Sequence, residues 1–197
     1  MGGSMNGGRL MGRSERYKWW IFAAVLGTVL GLDLATKSWA LHDLHPHGPT
    51  RYLFGWLPLT LHFNTGGLWG VGQGSVSRWV FSIATVGALW LLIHLYRRTS
   101  FARPFRMVAI PMIAAGALGN LVDRLRWDHG VVDFIGPFDL GFMQWPIFNV
   151  ADMAISCCTI LLVLSLWREP DPAAHRHDGE SEGTADATLP GPTADGR

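Results

Sequence analysis

The sequence predicts a mainly α integral membrane fold: four transmembrane helices joined by short links, with a strand in the first outer loop. Three observations carry that expectation. Hydrophobic residues make up 49% of the 197 residues and charged residues only 16%, against roughly 25% charged in soluble domains. The charges are clustered, leaving four apolar windows. The mean hydropathy is +0.20. The composition excludes a chain disordered over most of its length. A net charge of +1 gives no global field for nucleic acid, so no nucleic-acid partner is expected.

The windows are Trp19–Leu32 (14 residues), Trp79–Tyr96 (18), Met107–Val122 (16) and Met153–Trp167 (15). A spanning helix needs about 17–25 residues. The second window qualifies alone. The others qualify if Asp33 and Lys37, Asp123, or Asp152 lie inside the span. A soluble bundle would show amphipathic helices; Ile21–Leu32 and Ile160–Leu166 are instead apolar nearly all round. The first window also reads as a cleavable signal peptide, since basic residues precede it. Cleavage after Ala35 or Ala40 would discard Asp33.

Arginine and lysine set the orientation. Eleven of the sixteen flank the start of span one, the link between spans two and three, and the end of span four; five lie on the other side. Both termini are therefore expected in the cytoplasm. Residues 1–16 and 169–197 read as disordered arms around a membrane domain at 17–168. Leu57, Leu59, Leu61 and Phe63 alternate as in a strand. Phe134, Phe138, Phe142 and Trp145 in the second outer loop suit a membrane–water interface.

Helical rise places three acids at one depth. Asp33 lies about 22 Å from Lys18, Asp123 about 26 Å from Arg106, and Asp152 about 24 Å from Arg168. All approach the outer edge of a hydrocarbon core about 30 Å thick. Acids inside spans are costly and mark function or ion pairs. Asp33 has Lys37 at i,i+4, and Asp123 has arginines nearby. Asp152 and Asp133 have no basic neighbour in sequence closer than Arg126 or Arg168. The loop between them leaves and returns to one surface, so they are candidates to meet. Two close carboxylates share one proton. One then takes a proton from water while the other polarises a carbonyl. A proton-linked carrier using Asp33 and Asp152 is the alternative, and a helix-gluing scaffold is a third reading.

Other chemistries lack support: no H-E-x-x-H, no G-x-S-x-G, and no G-K-[ST] after Gly70, Gly72 and Gly74. His42, His45 and His47 cluster around Pro46 but form a weak metal motif. Gly116 and Ala115 suit close helix contact. The adjacent Cys157 and Cys158 suit packing or lipid contact, not a disulfide.

Five blocks in order resemble the bacterial lipoprotein signal peptidase (signal peptidase II) family. Asp33, Thr36 and Lys37 match D-x-x-[ST]-K; Asn64 and Gly66 match N-x-G. Gly116, Gly119, Asn120, Asp123 and Arg124 match G-x-x-G-N-x-x-D-R. Val131–Phe134 match V-V-D-F, and Phe148, Asn149, Ala151 and Asp152 match F-N-x-A-D. The resemblance implies a catalytic pair at Asp133 and Asp152. It implies substrate binding by Asn64, Gly66, Asn120, Arg124 and Asn149, with Asp33, Lys37 and Asp123 in support. It implies an extracytoplasmic β-cradle with an interfacial helix, an enzyme of the bacterial inner membrane, and no metal or cofactor. The implied substrate is a prolipoprotein bearing a diacylglyceryl-cysteine, cut just before that cysteine. Gly67, Leu68 and Trp69 depart from the family's two small residues and Phe, which implies a differently shaped substrate groove.

Overall fold

The structure is a computed structural model and describes residues 12–66 and 75–167. Four helices carry the apolar windows: α1 (Arg13–Asp43), α2 (Ser75–Arg98), α3 (Pro104–Arg126) and α4 (Val150–Trp167). Each is long and apolar enough to cross a membrane. α1 starts four residues before the expected boundary at Tyr17, so Arg13–Arg16 form its first turn. Pro104 opens α3 at a position where its missing N–H costs nothing. Gly67–Trp69, the glycines at 70, 72 and 74, and most of both expected arms lie outside the described residues.

The residues up to Leu162 form one compact unit; of the second, from Val163 onward, only the last turn of α4 is described. Within the first, α3 is the central helix, with Ile110, Ala114 and Ala115 at most 1% exposed. α2 instead turns Trp79, Ile83, Val86, Trp90 and Leu91 outward. A soluble bundle would put polar side chains there; apolar outer faces suit lipid. Between helices in lipid there is no hydrophobic gain, so small residues and polar contacts hold them. A Cβ on Gly116 would lie 2.5 Å from the Ala151 carbonyl oxygen, and one on Gly119 would strike the Asp33 carboxylate. These two glycines let α3 touch α4 and α1. Cys158 is buried with its Sγ 3.7 Å from Met112 Sδ, while Cys157 is exposed.

The outer loops form a small antiparallel sheet in the order β1 (Arg51–Leu53), β2 (Leu57–Asn64), β3 (Val131–Ile135). β2 is the strand expected from alternation: Leu59 and Leu61 are buried and His62 is exposed. Its register sets His62 opposite Asp133 and Asn64 opposite Val131. Leu59, Leu61, Val132 and Phe134 pack on Ala40 and Leu44 at the end of α1. Burying each large side chain there contributes about 1.5–3 kcal/mol. Phe134 is therefore a core residue, 4% exposed, and not the interfacial aromatic expected. It alternates inward with Val132 because strand side chains repeat every two residues. Phe142 and Trp145 remain exposed. A second hairpin, β4 (Phe138–Asp139) with β5 (Gln144–Trp145), follows. Among the described residues no fifth helix accompanies these sheets.

Candidate active site

The second outer loop does return to its starting surface. Ile135 and Phe148 pair antiparallel, with the Ile135 N–H donating to Phe148 O at 2.9 Å and the Phe148 N–H to Ile135 O at 3.0 Å. That bridge sets Asn149 beside β3 just as α4 begins. Asn149 then caps α4: the Asp152 N–H donates to Asn149 Oδ1 at 2.9 Å, and the Asn149 N–H returns to Asp152 Oδ2 at 3.2 Å. This reciprocal box satisfies backbone donors that a helix start leaves open. A further one, the Ala151 N–H, donates to Asp33 Oδ1 at 2.9 Å.

Two of the four acids are neutralised below the site. Lys37, 2% exposed, places Nζ 2.8 Å from Asp33 Oδ2, 2.9 Å from Asp123 Oδ2 and 2.9 Å from Asn120 Oδ1. The two carboxylate contacts are ion pairs and the amide contact is a hydrogen bond. The Asp33–Lys37 pair is the one expected at i,i+4. Asp123 pairs with the same lysine instead of an arginine, because Lys37 reaches across from α1 inside the bundle. Asp123 Oδ2 also accepts the Val132 N–H at 3.2 Å, which ties β3 to α3. Among the described residues the Thr36 hydroxyl bonds back along its own helix, to Leu32 O and Asp33 O.

The lysine also orients the amides above it. An ammonium cannot accept a hydrogen bond, so Asn120 must turn its oxygen to Lys37 and its nitrogen away. Asn120 Nδ2 then donates to Asp152 Oδ1 at 2.8 Å. Asn149 is oriented in the same way: Oδ1 is taken by the Asp152 N–H, so Nδ2 faces Asn120 Oδ1, Val132 O and Asp133 Oδ1, the last at 2.7 Å. Asn149, 0% exposed, thus touches both Asp133 and Asp152. Among the described residues neither of those acids has an ion pair, whereas Asp33 and Asp123 do. Burial first, and then the negative charge of Asp152, push the Asp133 carboxyl from 3.8 up to about 8; side-chain hydrogen bonds from Asn64 and Asn149 work against the rise.

The remaining expected residues surround this pair. Asn64 Oδ1 accepts the Gly66 N–H at 3.0 Å. Arg124 donates from Nη2 to Gly66 O at 3.2 Å and lies over the Phe81 ring. Sequence reasoning missed Phe81 and the backbone of Val132 and Ala151. Their parts depend on peptide groups or ring faces, which no motif spells out.

The chain itself matches a known group of proteins. Residues 25–168 match the family model described as signal peptidase (SPase) II. The chain belongs to the signal peptidase II family. It is 36% identical over 159 residues to a lipoprotein signal peptidase of Nitratidesulfovibrio vulgaris (strain DP4), covering 79% of this chain and 94% of that one. A lipoprotein signal peptidase of Cellvibrio japonicus (strain Ueda107) is 34% identical over 159 residues, covering 80% and 91%. Two solved structures described as bacterial membrane enzymes, both obtained by the in meso method, superpose with TM-scores of 0.66 and 0.65. Their identities are 26% and 29%, over 85% and 76% of this chain and 94% of each of theirs. As a signal peptidase II family member, the chain is a multi-pass membrane peptidase.

Proposed function

We propose that this chain is an aspartic endopeptidase. In this reading it removes the signal peptide from diacylglyceryl-modified prolipoproteins, cutting just before the lipidated cysteine. One observation carries the reading: Asn149 joins two acids that no cation pairs among the described residues, while Lys37 neutralises the other two. Asp133, 1% exposed, carries the shared proton. Asp152, half-buried and accepting from Asn120 Nδ2 and the Asn149 N–H, is the ionised partner. Its carboxylate takes a proton from water as the water oxygen attacks the peptide carbonyl carbon. Asp133 gives its proton to the carbonyl oxygen. The C–N bond of the resulting diol then breaks. The proton on Asp152 goes to the leaving amine, and a hydroxyl proton returns to Asp133.

Asn64, Gly66, Asn120 and Arg124 surround the pair and hold the substrate backbone. Both termini lie in the cytoplasm of a bacterial inner membrane, which puts the pair near the outer edge of the hydrocarbon. A cysteine anchored by acyl chains reaches that height laterally. The carrier reading is not favoured, because Asp33 is fully buried and bonded to both Lys37 and the α4 backbone.

The test is a gel-shift assay in detergent with a prolipoprotein in lipidated and unmodified forms. Only the lipidated form is cut. Equal cleavage of both would overturn the diacylglyceryl requirement, and no cleavage by folded protein would overturn the activity. The same assay reads the proton. The working pair holds one proton, Asp133 keeps it below about 8 and loses it above. Cleavage therefore falls as pH rises through about 8. A rate still climbing above pH 9 would break the assignment of Asp133.

A further inference from the structure

The other end of the spans carries a second built feature. About 26 Å along α1 from Asp33, α1 and α2 flank an open groove of about 610 Å³ lined by Arg16, Trp19, Trp20, Ile93 and Arg97. Two side-chain hydrogen bonds join the helices beside it. Lys18, which the charge pattern marks only as a flanking residue, is 2% exposed. Its Nζ donates to Arg97 O at 3.0 Å, and Tyr96 Oη donates to Lys18 O at 2.7 Å. The same ammonium lies 5.5 Å from the Tyr96 ring centroid, and Tyr96 packs on Trp19 and Phe22. This clamp fixes Arg16 and Arg97 along one groove.

We propose that the groove is a binding site for an anionic phospholipid of the adjoining leaflet. Its polarity runs in the order a lipid needs. Arg16 and Arg97 are outermost, exposed, and without an ion pair among the described residues. Trp19, Trp20 and Ile93 lie about one helical turn further in. A phosphate sits between the guanidiniums and the acyl chains run along the aromatic wall. Arginine binds phosphate oxygens through its planar fork, and tryptophan suits the headgroup boundary. Among the described residues Glu15 is the only acid at this end, against Arg13, Arg16, Lys18, Arg97, Arg98, Arg103 and Arg106. A zwitterionic lipid would bring an ammonium into that field, and free phosphate would leave the apolar wall unused. Basic pockets between helices on the cytoplasmic side favour anionic headgroups in general. The proposal uses the orientation given above only to name that leaflet.

The test is native mass spectrometry of the full chain in neutral detergent, titrated with phosphatidylglycerol or with phosphatidylcholine of the same acyl chains. Wild type retains phosphatidylglycerol in preference. Arg16→Gln/Arg97→Gln loses at least about tenfold in that affinity. Arg51→Gln/Arg98→Gln, with the same change in charge but outside the groove, loses clearly less. Trp20→Ala, which removes wall and no charge, weakens retention several-fold and guards against a misfolded double variant. Equal retention of the two lipids by wild type, or equal losses in both arginine pairs, would overturn the site.

Discussion

Asp133→Asn and Asp152→Asn each lower cleavage of a lipidated prolipoprotein by at least about 10³-fold, within the range that a positioned acid or base supplies. The protein stays folded in both. At 133 the amide oxygen still accepts from Asn149 Nδ2, and a neutral amide replaces a neutral carboxyl. At 152 the carboxylate receives Asn120 Nδ2 and the Asn149 N–H; an amide satisfies one of these donors and loses the other, costing about 1 kcal/mol. Because the pair works as a unit, the double variant is no slower than the worse single one. Melting curves in detergent separate this result from unfolding. A folded single variant keeping a tenth of the wild-type rate would remove its residue from the chemistry.

Lys37→Met destabilises the protein by about 3–5 kcal/mol, the cost of stripping a buried charge of its partner. Two carboxylates, Asp33 and Asp123, lose their counter-ion at once, in a cluster where all three side chains are at most 5% exposed. The same change frees Asn120 to turn over, so cleavage falls as well. Unfolding in a denaturing detergent reads the stability loss. Adding Asp33→Asn and Asp123→Asn to Lys37→Met restores most of it, since no uncompensated charge then remains. A single Lys37→Met variant as stable as wild type would show that the cluster does not hold the helices. The Arg78–Asp128 pair is the useful contrast. The Asp128 side chain is fully exposed, and such pairs contribute little, so Asp128→Asn leaves stability near wild type.

Four spans, the β2 strand and the return of the second loop were legible from the chain alone. Charge-free length, alternation and arginine bias are local signals, and lipid imposes them on every crossing segment. The candidate acids were legible for a related reason: an ionisable residue inside an apolar window stands out against its cost. Partners were not legible. The sequence suggests an arginine for Asp123, and Lys37 from another helix takes it. Phe134 reads as interfacial, and strand alternation turns it under the sheet. Lys18 reads as a flank charge, and Tyr96, 78 residues away, accounts for its burial.

What the sequence alone determined is the inventory: a membrane-spanning chain, its order of elements, and which acids sit at one depth. What only the tertiary structure decided is which acids are neutralised and which are left as a pair. That division follows from one ammonium with three donors, reaching Asp33, Asp123 and Asn120 from inside the bundle. Hydrogen-bond geometry is set by distances across helices, and spacing along one helix does not encode those distances.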